Sequence, residues 1–188
     1  MAPRRALALF LFVAAMWLVR VADTFRGDGT SIAGVGVIPR TTDRLEGIVA
    51  APLIHASWAH LVANTVPLLI LGGLVLFSGL AEFVFVTVVA ALSAGAGTWM
   101  FGTPANHIGA SGVVFGYLGY LLARPAFDGK LLSVVVTLVV AAVYGSVLLS
   151  SIIPEAGVSW SGHFFGFVGG ILAARLRDPQ RGELNELR

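Results

Sequence analysis

Long apolar runs, separated by short polar or glycine-containing breaks, follow one another along most of the chain. A helix needs about 20 mostly apolar residues to cross the hydrocarbon core of a bilayer, so runs of this length predict transmembrane helices. The pattern shows no internal repeat, and we expect residues 1–188 to form a single all-α membrane domain. The six predicted spans cover approximately residues 6–22, 58–78, 80–101, 108–124, 131–153 and 158–175.

Turn-forming and polar residues mark the breaks between these spans. Gly79 and Glu82 separate the second span from the third, and residues 124–130 form a turn between the fourth and the fifth. Residues 23–57 make the one long loop, and a loop of that length in so small a membrane protein is usually functional or interfacial. The first run has the basic flank of a cleaved signal peptide, but it is long and residues 20–24 offer no clean small-x-small cleavage site.

The composition favours the same class of protein. The 188 residues are 57% hydrophobic and 12% charged, whereas soluble domains carry about 25% charged residues. A soluble fold of this size could not bury so much apolar surface, and disorder requires low hydrophobicity with high net charge. The absence of cysteine excludes disulfides, thiolate metal sites and a cysteine nucleophile. We predict no metal and no cofactor. We also predict no nucleic-acid partner, since the basic residues of a membrane protein serve to orient it in the bilayer.

The basic residues predict how the bundle is oriented. With both termini in the cytoplasm, eight of the 12 Lys and Arg residues lie inside, and the other four lie outside among acidic residues. The positive-inside rule therefore favours an N-in, C-in bundle with the loop 23–57 on the outer face. The second, fourth and sixth helices then run from outside to inside. The inner residues are Arg4, Arg5, Arg124, Lys130, Arg175, Arg177, Arg181 and Arg188, and the outer ones are Arg20, Arg26, Arg40 and Arg44.

Strongly polar residues stand near the start of these three helices. Such residues are costly in lipid, so each is a functional hypothesis by default. His60, Asn64, Ser111 and His163 all fall within about the first two turns of their predicted helices, so we expect them at one depth in the outer half of the bilayer. His60 and Asn64 are four residues apart and share one helix face. The four side chains predict a single polar cavity.

Small residues form a stripe along one face of two predicted helices, and such stripes let helix backbones approach closely. If the two stripes face each other, Ser111 and His163 come within hydrogen-bond distance. A serine held against a histidine is the minimal activated nucleophile, because the histidine takes the hydroxyl proton during attack and returns it to the leaving amine. The stripes are Gly109, Gly112, Gly116 and Gly119 in the fourth span and Gly162, Gly166, Gly170 and Ala173 in the sixth.

The sequence predicts a dyad and an oxyanion site around it. Within the predicted spans no acidic residue lies near His163, and Glu155 falls in a loop, so a third, orienting carboxylate is not expected. Ser111 begins a helix, where the first backbone N–H groups lack intrahelical partners. These N–H groups, together with the side chains of His60 and Asn64, could hold a tetrahedral oxyanion.

Each of these features by itself has a commoner structural explanation. A lone serine in a membrane helix usually packs or bonds its own backbone, a lone histidine usually bonds another helix, and glycine stripes alone mean only close packing. We interpret Pro67 as a kink in the second helix. We expect His55 and His107, near the outer boundary, to be solvated. The shared depth of the polar residues is what favours a functional site.

At these residues the sequence resembles the rhomboid family of intramembrane serine proteases. Residues 109–112 (Gly-Ala-Ser-Gly) are similar to the family's Gly-x-Ser-Gly motif, whose serine is the nucleophile. Residues 163–170 are similar to its His-x-x-Gly-x-x-x-Gly motif, whose histidine is the base. His60 and Asn64 have the spacing of the family's pair that supports the oxyanion. The resemblance covers about residues 45–175 and implies the minimal six-span bacterial fold.

The resemblance also implies roles for individual residues. Ser111 is the implied nucleophile and His163 the implied general base and acid. Gly109, Gly112 and Gly166 are implied supporting residues, as is one aromatic side chain. At that position, four residues after the serine, members often have a tyrosine packed on the catalytic histidine. Here it is Phe115, which keeps the aromatic face and lacks the hydroxyl.

The implied substrate is a single transmembrane helix, or its outer juxtamembrane end, in a bacterial plasma membrane. Such a helix must unwind before Ser111 reaches the scissile carbonyl, which favours substrates with Gly or Pro. The small residues at 109–112 predict a small residue before the cut, and the family implies the fifth span as a lateral gate. Two alternatives stay open: a catalytically silent rhomboid-like protein that binds membrane proteins or controls their quality, and a small transporter or channel, although transporters commonly show inverted repeats.

Overall fold

A computed structural model of the chain describes residues 3–26, 31–151, 153 and 158–177. Apart from one isolated antiparallel bridge between Val37 and His107, this part of the chain is built from helices and turns, so the predicted all-α class is confirmed for it. The α-helices are α1 (Pro3–Thr24), α2 (Gly47–Ala50), α3 (Trp58–Phe77), α4 (Leu80–Phe101), α5 (Ser111–Ala123), α6 (Pro125–Asp128), α7 (Leu131–Ser151) and α8 (Trp160–Leu176).

Four helices in the described part are long and apolar enough to cross a membrane, namely α1, α3, α4 and α7. They match the first, second, third and fifth predicted spans to within a few residues. Helices α5 and α8, at the other two predicted spans, have 13 and 17 residues, fewer than the roughly 20 that a bilayer crossing requires. The count of six spans and the N-in, C-in orientation therefore stay predictions. Arg181, Arg188 and Glu155 lie outside the described residues.

The fourth predicted span, 108–124, begins three residues earlier than α5 itself. Residues 108–110 form a turn, because Gly109 has a φ of +115° that a helix does not allow. The N–H of Gly109 donates to the carbonyl of Ala51 at 2.9 Å, so it bonds the preceding segment and not the helix. This late start leaves Ser111 as the first residue of α5.

The backbones of α5 and α8 touch at the centre of the bundle. Every residue of α5 from Gly112 to Leu121 is buried. The two predicted stripes face each other, because a Cβ on Gly166 would overlap the carbonyl oxygen of Gly112 and a Cβ on Gly170 would overlap that of Gly116. Only glycine permits this approach, which places the first turns of the two helices side by side.

The long segment between α1 and α3 is folded onto the start of α5. Its described residues form three 3₁₀ turns and the short helix α2. Val37 and His107 exchange two backbone hydrogen bonds of 2.9 Å. Ile48 lies against Gly95 of α4, where any side chain larger than hydrogen would collide with it. The predicted loop 23–57 is thus, in its described part, a cover over one end of the helices.

The contact between α5 and α8 predicts a strong effect for a single methyl group. Gly119→Ala would direct a Cβ into the carbonyl oxygen of Phe167 on α8, so we expect a loss of about 1–3 kcal/mol of unfolding free energy from overpacking. The matched control is Gly73→Ala in α3, whose Cβ would meet nothing within 4 Å. This control should be neutral or stabilising by up to about 1 kcal/mol, since alanine is the better helix former. Thermal unfolding in detergent micelles measures both, and equal midpoints for the two variants would contradict the packing.

Candidate active site

Ser111 and His163 meet where α5 and α8 begin. Ser111 is the first residue of α5, and His163 lies in the first turn of α8. The hydroxyl oxygen of Ser111 lies 2.9 Å from Nε2 of His163. This distance depends on the glycine contact below it, because a Cβ on Gly112 would lie only 3.2 Å from the carbonyl oxygen of Gly162. The close approach of the two helices is therefore a condition for the contact between Ser111 and His163.

A main-chain carbonyl fixes the tautomer of His163. Its Nδ1 lies 3.0 Å from the carbonyl oxygen of Ser151, the last residue of α7. A carbonyl only accepts, so Nδ1 carries the proton and donates it. Nε2 is then the unprotonated nitrogen and accepts from the hydroxyl of Ser111, as a general base requires. Sequence reasoning missed this partner, since every residue carries a carbonyl and nothing in the sequence singles out Ser151.

An aromatic ring covers one face of His163. The ring of Phe115 is stacked on the imidazole, with centroids 4.3 Å apart and planes inclined by 14°. Phe115 is four residues after Ser111, so one helix turn carries both the hydroxyl and the ring. The stack covers one face of the imidazole, which makes its hydrogen bonds through the two nitrogens in the plane of the ring. Packing from Phe115 and the bond to Ser151 thus orient the same side chain.

His60 and Asn64 lie on the other side of Ser111. Asn64 is buried and donates one amide hydrogen to the carbonyl of His60 at 3.0 Å. A Cβ on Gly109 would lie 2.7 Å from Nε2 of His60 and 3.7 Å from Nδ2 of Asn64. Both side chains therefore border the turn that leads into α5. The backbone N–H of Ser111 follows this turn directly and, as the first N–H of α5, has no intrahelical acceptor.

A cavity of about 760 Å³ joins these groups. Its lining includes all four predicted polar residues, His60, Asn64, Ser111 and His163, together with apolar residues of α3 and α7. Pockets that bind ligands typically measure about 300–1,000 Å³, so this cavity is of ligand-binding size. In the described part of the chain no group of three or more His, Asp or Glu side chains is arranged to bind a metal ion.

The expectation that His55 and His107 are solvated is wrong. Their exposed fractions are 1% and 8%, because the segment between α1 and α3 folds over them. Nε2 of His55 accepts from the backbone N–H of Ala110 over 3.4 Å, next to the turn before Ser111. Burial, and then the charge of His60, lower the pKa of His55 to about 4. The imidazole of His55 is therefore neutral and accepts a hydrogen bond from the turn that precedes Ser111.

Similar proteins are found for most of the chain. The family model described as "Rhomboid domain" matches residues 42–178. Uncharacterized protein Rv1337 of Mycobacterium tuberculosis is 42% identical over 183 residues, which cover 92% of this chain and 75% of that protein. Uncharacterized protein ML1171 of Mycobacterium leprae is 38% identical over 184 residues, which cover 92% of this chain and 72% of that protein.

Burial of His55 predicts a specific pH dependence of stability. The pKa of His55 is about 4 in the folded protein and 6.5 in its ordinary state, so the unfolded chain binds this proton at higher pH. The free energy of unfolding should therefore fall as the pH decreases from about 6.5 to 4, by at most about 1.4 kcal/mol per pH unit. Denaturant titrations of the wild type and His55→Gln test this. Parallel curves for the two proteins, or protonation of His55 near pH 6.5 by NMR, would contradict it.

Proposed function

Because the chain belongs to the rhomboid family, a family of multi-pass membrane proteins, we propose that it is an intramembrane serine endopeptidase with Ser111 and His163 as its catalytic dyad. The observation that carries this proposal is the 2.9 Å contact between the Ser111 hydroxyl and Nε2 of His163. The contact joins the two family motifs, and the Ser151 carbonyl selects the tautomer that can accept the proton.

The acylation step uses each group at a stated atom. The hydroxyl oxygen of Ser111 attacks the scissile carbonyl carbon as its proton passes to Nε2 of His163. The imidazolium that forms is stabilised at Nδ1 by the Ser151 carbonyl. The oxyanion receives hydrogen bonds from the Ser111 N–H and from the side chains of His60 and Asn64. The carbon–nitrogen bond then breaks, and His163 gives its proton to the leaving amine.

Hydrolysis of the acyl-enzyme reverses these roles. His163 takes a proton from a water molecule, whose oxygen attacks the ester carbonyl carbon. The ester bond then breaks as the oxygen of Ser111 takes the proton back from His163, and the product leaves as a carboxylic acid that gives its own proton to water. Neither step requires a metal or a cofactor in the proposed mechanism.

The proposed substrate is a single-pass transmembrane helix of another protein, cut near the outer face of the membrane. A peptide bond inside a helix is shielded, so a segment weakened by Gly or Pro is the favoured target. A small residue before the cut stays a prediction from the small residues at 109–112, since Ala110 and Gly112 are themselves buried in the bundle. The cavity is bordered by both α3 and α7, and this supports entry of the substrate between these helices from the lipid.

The proposed setting is a bacterial plasma membrane, with residues 1–188 as one domain of six spans and both termini inside. The mycobacterial relatives support a bacterial host. Helix α5 then crosses as a short central helix enclosed by its neighbours, whereas α8 turns an exposed apolar face, with Phe164, Val168 and Leu172, outward. Because these helices are short, their first turns are open to water from the outer side. Water can then reach Ser111, as the hydrolysis step requires.

The proposed dyad predicts that two single substitutions abolish proteolysis. Ser111→Ala and His163→Ala should each lower the cleavage rate of a transmembrane substrate by about a millionfold, to below detection, because the two residues act as a unit. Cleavage is measured in proteoliposomes, and thermal unfolding verifies that both variants fold. A fluorophosphonate should label the wild type and not Ser111→Ala.

Two outcomes would contradict the proposal. Wild-type cleavage by either variant would remove the dyad. A wild-type protein that crosslinks to substrate helices but neither cleaves them nor reacts with the fluorophosphonate would be the silent binding protein instead.

A further inference from the structure

A second serine–histidine pair lies beside the first. Nδ1 of His107 lies 2.8 Å from the hydroxyl oxygen of Ser159. Nε2 of the same ring lies 2.9 Å from the carbonyl oxygen of Thr103. The carbonyl only accepts, so Nε2 carries the proton and Nδ1 accepts from the Ser159 hydroxyl. This pair has the same pattern as Ser111, His163 and the Ser151 carbonyl, and the mechanism above does not use it.

The two pairs connect the same two segments of the chain. His107 precedes Ser111 by four residues, and Ser159 precedes His163 by four. One segment therefore supplies histidine then serine, and the other supplies serine then histidine. The two hydrogen bonds are successive cross-links between the turn before α5 and the start of α8. The donor is Ser159, on the α8 side, in the first bond and Ser111, on the α5 side, in the second.

Both residues of the second pair are held by backbone hydrogen bonds, His107 to Val37 and Ser159 to His163. The backbone of His107 makes two hydrogen bonds of 2.9 Å with Val37, and its ring is buried. On the other side, the carbonyl of Ser159 accepts the backbone N–H of His163 at 3.1 Å. A displacement of Ser159 would therefore also move the backbone of His163, the proposed base.

We infer that His107 and Ser159 are positioning residues, whose hydrogen bond sets the separation between Ser111 and His163. This inference rests on the proposed function for its effect on rate, but not for its effect on geometry. Glycine contacts bring α5 and α8 together without specifying how the first turn of α8 is rotated. The His107–Ser159 bond supplies that specification one turn before the dyad. Misplacement of reacting groups by about 1 Å can cost on the order of a hundredfold in rate.

The chain offers a matched control two residues after Ser159, in the first turn of α8. Ser161 is fully buried, and its hydroxyl donates to Oγ1 of Thr98 on α4 over 3.3 Å. Ser161→Ala and Ser159→Ala each remove one hydroxyl that bonds α8 to another segment. Only the second removes a bond to the segment that carries Ser111. Ser159→Thr keeps the hydroxyl and serves as the conservative rescue.

The first test measures geometry without activity. In protein labelled with ¹⁵N-histidine, the ring nitrogen shifts of His163 report its tautomer and its bond to Ser111. We expect them to move in Ser159→Ala and His107→Asn, and to stay unchanged in Ser161→Ala and Ser159→Thr. Unchanged shifts in Ser159→Ala would overturn the positioning role even if the wild type cleaves substrate. Changed shifts would support it even if the wild type proved inactive, in which case the proposed function fails alone.

The second test measures rate. We expect Ser159→Ala to lower kcat by about ten- to a hundredfold with KM within about twofold, and Ser161→Ala to leave kcat unchanged at a similar loss of thermal stability. His107→Asn combined with Ser159→Ala should be no slower than the slower single variant, since both remove one interaction. Equal losses of kcat in Ser159→Ala and Ser161→Ala would make the role merely structural. A raised KM alone would make Ser159 a substrate contact, and fluorophosphonate labelling of Ser159 in Ser111→Ala would make it a second nucleophile, so either would overturn the inference.

Discussion

Contact between the main chains of α5 and α8 is the constraint on which the rest of the structure depends. The glycines let carbonyl oxygens of α5 lie where side chains of α8 would otherwise stand. This contact brings the first turns of both helices together, and the hydroxyl of Ser111 reaches His163 only because of it. Hydrophobic burial cannot drive such an association in lipid, so close packing and interhelical hydrogen bonds have to supply it.

A second requirement is that the buried polar groups at these helix ends find hydrogen-bond partners within the protein. For the turn before α5 the folded segment after α1 supplies these partners: the carbonyl of Ala51 accepts from the N–H of Gly109, and Val37 exchanges two backbone hydrogen bonds with His107. The imidazole of His55 accepts from Ala110, and that of His163 donates to Ser151. The polar site is therefore held by main-chain groups as much as by side chains, which suits a setting where an unpaired group costs several kcal/mol.

The sequence predicted the parts of this arrangement that follow from repetition and length. Apolar runs located α3, α4 and α7, and the spacing of glycines predicted the contact of α5 with α8. The late start of α5 was missed because a single glycine at φ +115° ends one conformation and begins another. The burial of His55 and His107 was missed because it depends on a segment with no periodic pattern. The carbonyl of Ser151 left no mark in the sequence, since its role depends on where α7 ends.

That carbonyl ties the imidazole to the helix least enclosed by protein. Only 6% of the apolar stretch of α7 is buried, against 44% for α3, so little of α7 is covered by the rest of the described chain. A shift of its last turn by little more than one bond length would strip the Nδ1 proton of its acceptor. In the proposed mechanism this acceptor keeps the proton on Nδ1 and leaves Nε2 basic, so the position of the last turn of α7 decides whether His163 can act as the base.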